Sequence, residues 1–170
     1  LIDFYYPENT SSVFTNNAYT YVEDSYNYGT FILENITFNG IRNPISTYLS
    51  ANYGTRPIWF TNMERIEIRG CRFVDIYGSA MAIGVCKSGI IENNNFKSVF
   101  ARQPNDPDAT GDGISIYAHC KDMQILNNYI ELSTGQYGRC GISVDDKSRR
   151  VKVIGNNIIG YERGIHLEYS

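Results

Sequence analysis

The residues best equipped for chemistry are gathered late in the chain. Asp145 and Glu168 are carboxylates 23 positions apart, with His166 two residues before the second. Two carboxyl groups held about 5–5.5 Å apart are the equipment of a retaining glycosidase, one acting as acid and the other as nucleophile. Carboxylates that close cannot both ionise cheaply, so one pKa should rise, which suits a general acid. Asp112 is an alternate carboxylate, standing where a polar loop enters the apolar run Gly113-Ile-Ser-Ile116. Arg139 and Arg163 carry the fork that would pair an acidic sugar. They would pair Asp112 or Glu162 equally well, and exposed pairs of that kind contribute little. Trp59 and Tyr117, with Tyr137 and Tyr161 behind them, have flat faces on which a sugar ring stacks, and His166 adds a polar edge. The chain holds 14 tyrosines, so any single one is a packing residue before it is a binding residue. All of these side chains would also pass as the ordinary polar exterior of a strand unless something brings them together.

Metal chemistry has a narrower basis. Asp106, Asp108, Thr110 and Gly111 match the opening half of a calcium-binding loop. Its twelfth position is Tyr117, where a bidentate Glu is needed, and a Pro/Asp/Gly turn explains the same residues. No cofactor is therefore expected, with Ca2+ at Asp106 and Asp108 as the alternative. Cys71, Cys86, Cys120 and Cys140 lack short metal-ligand spacing and read as small buried hydrophobes rather than bridges.

What must position these residues is a repeat. Phe38, Phe73, Phe96, Ile130 and Ile158 each close a short apolar segment, at steps of 35, 23, 34 and 28 residues. Pro57, Ala80, Gly113, Gly141 and Gly164 each open a second segment, at steps of 23, 33, 28 and 23. A minimum near 23 with variable excess describes a fixed structural turn that carries loops of different length. Within each segment apolar residues alternate, as in Ile142 and Val144 or Ile165 and Leu167, which is the period of a strand. Short strands with no helix-length segments between them predict a parallel β-solenoid whose stacked coils share one core. Stacking then sorts the outward residues of the second segments into two columns. One holds Trp59, Ala82, Ser115, Ser143 and His166, and the other Thr61, Gly84, Tyr117, Asp145 and Glu168. Together they describe a shallow groove with an aromatic at one end and carboxylates at the other.

Composition agrees. The 170 residues suffice for one core, and 15 glycines with abundant Asn and Ile suit short strands and tight turns. A net charge of −3 offers no basis for a nucleic-acid partner. No apolar run reaches the ~18 residues of a membrane span, so no membrane insertion is expected. Residues 1–29 are rich in Tyr, Asn and Ser and lack the repeat, and read as an irregular partial coil and loop. Residues 30–170 form the solenoid of about five coils. With no capping helix in view, the chain is expected to be a fragment of a longer protein, or to have its ends covered by other subunits.

The repeat resembles the right-handed, single-stranded parallel β-helix of pectate lyases, polygalacturonases and phage tailspikes. The mark that carries the resemblance is Asn94, Asn128 and Asn156, each two residues before Phe96, Ile130 and Ile158. In that family this position forms an inward ladder of asparagine amides, and here Ile36 and Cys71 occupy the same register in the earlier coils. Thr110-Gly-Asp-Gly-Ile114 is similar to a polygalacturonase stretch and would mark Asp112 as catalytic. The Gly-Asp-Asp expected one coil on is replaced by Gly138-Arg-Cys-Gly141, and Arg163-Gly-Ile-His166 is a loose echo of a later Gly-His-Gly. The chain is most like tailspike polysaccharide depolymerases. That resemblance implies a homotrimer on a virion tail, acting on a bacterial surface polysaccharide by glycoside hydrolysis, with a secreted bacterial protein as the other setting. A lyase or uronate epimerase on the same fold, or a solenoid that binds glycan without cleaving it, are the alternatives.

Overall fold

The computed structural model describes residues 26–40, 56–100 and 111–168, together with the backbone of two short strands nearer the start. Those two are β1 (Ile2–Phe4) and β2 (Phe14–Thr15). β3 (Tyr28–Glu34) and β4 (Thr37–Gly40) follow. The long β5 (Ile58–Arg69) leads into β6 (Arg72–Tyr77), and the equally long β7 (Met81–Glu92) into β8 (Asn95–Phe100). Next come β9 (Ile114–Tyr117), β10 (Met123–Leu126) and β11 (Tyr129–Glu131). The last set is β12 (Cys140–Val144), β13 (Lys152–Ile154), β14 (Asn157–Ile159) and β15 (Arg163–Leu167).

Every pairing between these strands is parallel, and each strand pairs with its counterpart one coil away. Three faces result. The first stacks β2, the front of β5, the front of β7, β9, β12 and β15. The second stacks β3, the back of β5, the back of β7, β10 and β13. The third stacks β1, β4, β6, β8, β11 and β14. β5 and β7 serve two faces because each turns a corner in mid-strand. Asn62 and Val85 sit at those corners with left-handed φ of 58° and 46°. β1 and β2 already pair with β4 and β5, so the parallel ladder reaches into the segment before residue 30.

The core is the stack of inward residues that the repeat marks. Phe38 pairs with Phe73, Phe73 with Phe96, Phe96 with Ile130, and Ile130 with Ile158. The three phenylalanine rings lie nearly parallel with centroids 4.7 Å apart, which is the spacing of strands in a sheet. All three are fully buried, and each such side chain removed from water contributes about 1.5–3 kcal/mol. At the end of the stack Ile165 and Leu167 remain 50% and 72% exposed, since no described strand lies over them.

The corner between the second and third faces explains the Asn-Asn pairs. Asn35, Gly70, Asn93, Asn127 and Gly155 take the left-handed conformation there, at φ of 53–68°, which Asn and Gly tolerate best. The following residue points inward. Asn128 Oδ1 accepts from the amide and the side chain of Asn94 at 3.0 Å each, and Asn156 Oδ1 accepts from both groups of Asn128 at 2.9 Å. The side-chain N–H of Asn94 and Asn128 also donates to Ile68 and Ile91 carbonyls. Cys71 continues the column with a thiol in place of the amide, its N–H donating to Asn94 Oδ1 at 2.8 Å. Asn35 stands at this turn and is exposed. All four cysteines are free and buried. Among the described residues no helix is long and apolar enough to cross a membrane.

Candidate active site

The two outward columns lie on the first face in the expected register. Trp59 pairs with Ala82, Ala82 with Ser115, Ser115 with Ser143, and Ser143 with His166. Thr61 pairs with Gly84 and Gly84 with Tyr117. Backbone bonds from Asp145 N to Ile116 O and from Glu168 N to Val144 O carry the second column onward to Asp145 and Glu168.

At one end the aromatics form a joined platform. Trp59 Nε1 donates to Tyr117 Oη at 2.7 Å, across the intervening coil. Gly84 makes that reach possible, because a Cβ there would lie 3.0 Å from the Tyr117 ring. The Arg56 guanidinium stands 5.3 Å over the Trp59 ring, a cation–π contact. Between the ends the expected open groove is not found: Ala82 is 2%, Thr61 1% and Ser143 0% exposed, so these small residues of the two columns are covered by their larger neighbours rather than lining a floor.

At the other end three titratable groups meet. His166 Nε2 is 3.3 Å from Glu168 Oε2 and 3.9 Å from Asp145 Oδ1. One polar atom from each residue lies within 4.8 Å of the other two. Asp145 is largely buried, with 14% of its side chain exposed, whereas Glu168 is 59% exposed. Ser143 Oγ donates to Asp145 Oδ2 and fixes the carboxyl group, while Oδ1 is buried without a hydrogen-bond partner. Burial pushes the Asp145 pKa up, opposed by the Ser143 hydroxyl and then by Arg139 and His166. The expected rise therefore occurs, but desolvation is its main cause. The carboxylate that adds to it is Asp112 rather than the adjacent Glu168.

Asp112 is committed elsewhere. It is 2% exposed, and Arg139 Nε and Nη2 donate to its two oxygens at 3.0 and 2.6 Å. This bidentate pair raises the Arg139 pKa further and leaves the guanidinium bound to protein rather than open to a sugar acid. Arg163 is about half exposed and 4.0 Å from Glu162. It lies three residues before His166 on β15, so strand alternation sends it to the opposite face. Tyr161 is a packing residue whose hydroxyl donates to Val99 O at 2.9 Å, and Tyr137 donates to Glu162. Asp106 and Asp108 fall outside the described residues. Sequence reasoning did not assign Ser143 a part in holding Asp145, although its place two residues earlier on the same outward face was the available signal.

A family model described as "Right handed beta helix region" matches residues 5–170. The chain belongs to the right-handed β-helix family. Its handedness follows from that membership, and the parallel faces and inward ladders are the family's architecture realised in this sequence. Neither the curated proteins nor the solved structures contain a match to this β-helix. A β-helix of this kind is compatible with enzymes and binding proteins that act on polysaccharides, and the fold by itself does not choose a reaction.

Proposed function

We propose that this β-helix binds a bacterial surface polysaccharide along its first face and hydrolyses it, as part of a homotrimeric phage tailspike on the virion tail. The observation that supports the reading best is the meeting of Asp145, His166 and Glu168 at one end of the face that carries Trp59 and Tyr117 at the other. The aromatic pair supplies a stacking surface for a sugar ring.

Asp145 is the general acid. Its burial favours the protonated form, which is the state needed to donate to a leaving glycosidic oxygen. Glu168, more exposed and on the next coil, is the nucleophile or base. The groups are close enough for direct attack on the sugar, which predicts retention of configuration. His166 bridges the two carboxylates, while Asp112 and Arg139 brace the loop edge behind them.

The test is release of oligosaccharides from capsule by the full-length protein. Asp145→Asn and Glu168→Gln should each abolish it while leaving glycan binding intact. Product release at near-normal rates in both variants removes this site. An unsaturated product absorbing in the near ultraviolet would instead indicate elimination.

A further inference from the structure

We infer that Asp145, His166 and Glu168 form a site for one divalent transition-metal ion of the zinc class, and that loading this site silences the glycan chemistry of the same side chains. The second half rests on the hydrolytic reading above; the first half does not. One imidazole nitrogen and two carboxylate oxygens from adjacent coils point into the same space.

Two ligands each about 2.1 Å from one zinc ion lie no more than about 4.2 Å apart. The His166–Glu168 separation of 3.3 Å and the His166–Asp145 separation of 3.9 Å already satisfy that limit. The remaining separation, at most 4.8 Å, needs only a small swing of Glu168, which is free to make it at 59% exposure. The ion would then keep open positions toward solvent on the Glu168 side, as sites with three protein ligands do.

A second observation points the same way. Asp145 Oδ1 is buried and accepts no hydrogen bond, while its partner oxygen is held by the Ser143 hydroxyl. A buried carboxylate oxygen without a donor is costly, and a cation is the ligand that would satisfy it. Ser143 has the part of an outer partner that orients a ligating carboxylate. The imidazole selects the metal: calcium and magnesium prefer all-oxygen sites, whereas a nitrogen with two carboxylates suits zinc, manganese or iron. Two ionised carboxylates and a neutral imidazole would balance the charge of a divalent ion. Once bound, neither carboxylate could act as acid or nucleophile.

Only two histidines, His119 and His166, occur in the chain, which makes the test clean. The 170-residue protein, stripped with chelator, is titrated with Zn2+ and separately with Ca2+, by calorimetry and by NMR of the imidazole protons. The expected result is one Zn2+ per chain, a shift of one imidazole only, and no response to Ca2+. His166→Gln should weaken Zn2+ at least tenfold, and Asp145→Asn and Glu168→Gln should each do so too. His119→Gln should leave affinity unchanged and identify the imidazole that moves. Absence of Zn2+ binding, an unchanged His166 signal in the unaltered protein, or full affinity in His166→Gln overturns the proposal. If Zn2+ binds as described but leaves hydrolysis running, the silencing half fails and the site stands. If Zn2+ binds and no glycan is ever cleaved, the hydrolytic reading fails and the site stands.

Discussion

Asn128 is 1% exposed and takes part in five hydrogen bonds, four within the inward amide column and one to the Ile91 carbonyl. Truncating it removes the acceptor of one backbone amide and the donor to the Ile91 carbonyl, leaving both buried without partners. Each orphaned group costs about 1–3 kcal/mol, so Asn128→Ala should lower stability by about 3 kcal/mol, read as a fall in the denaturant midpoint. Asn156→Ala should cost less, because Asn156 is only partly buried and nothing described stacks beyond it. The column was legible from spacing read together with the family resemblance: Asn94, Asn128 and Asn156 precede each apolar closing residue by two, and Cys71 stands in their register. What spacing could not reveal is the chemistry of the exception. The Cys71 thiol approaches the Leu33 carbonyl at 3.8 Å and so occupies the place of the amide N–H. The origin of the Asp145 shift was hidden for a related reason. Proximity to Glu168 follows from register, but burial depends on how Ser143 and the neighbouring coil close over the carboxyl group.

On the first face, the reach of Tyr117 over Gly84 is a property of strands rather than of single residues. Period-two alternation put Thr61, Gly84 and Tyr117 in one column, which the register bears out. It gave no sign that the tyrosine would lean across a coil to Trp59, because that depends on side-chain torsions and on the missing Cβ. Gly84→Ala should push the Tyr117 ring away and break the 2.7 Å bond to Trp59. Trp59 is the sole tryptophan, so its emission should shift, and glycan affinity should fall severalfold with little loss of thermal stability. The second face answers to pH. Glu67 is held by Arg69 and Arg65, and Arg69 also bonds Glu92 at 2.6 Å. Those guanidiniums, Arg69 foremost, hold the Glu67 pKa below its ordinary value near 4.5. Its contribution is thus present above that value and is lost as pH falls through the lower folded one. Glu67→Gln should be less stable than the parent at neutral pH and converge with it in acid, with the gap narrowing in high salt.

For the molecule as a whole, the four thiols report on the integrity of the stack. Cys71, Cys86, Cys120 and Cys140 are fully buried, and desolvation pushes the Cys86 and Cys140 thiols up to about 12. Thiolate is the reactive form. A thiol reagent at pH 8 should label none of the four in the native protein and all four in denaturant, and mass spectrometry counts the adducts. Partial native labelling confined to Cys140 would mean that the terminal coils open on their own. The parallel architecture was legible because every coil repeats the same constraint. The double duty of β5 and β7 was not, since left-handed Asn62 and Val85 break no hydrophobic pattern.

Because each coil adds one residue to each outward column, the distance between any two groups on the first face comes in whole strand spacings. Tyr117 and Asp145 are one such step apart, and Asp145 and Glu168 another. The face is in effect a ruler graduated at about 4.8 Å, and under the proposed function a glycan laid along it would be read by whether its own repeat keeps phase with those marks. Insertions at the corners leave the graduation untouched, so loops can change freely around it. Splicing in one whole coil between Tyr117 and Asp145 would shift the phase by a single mark, altering which length of glycan fits without moving a single group inside either end.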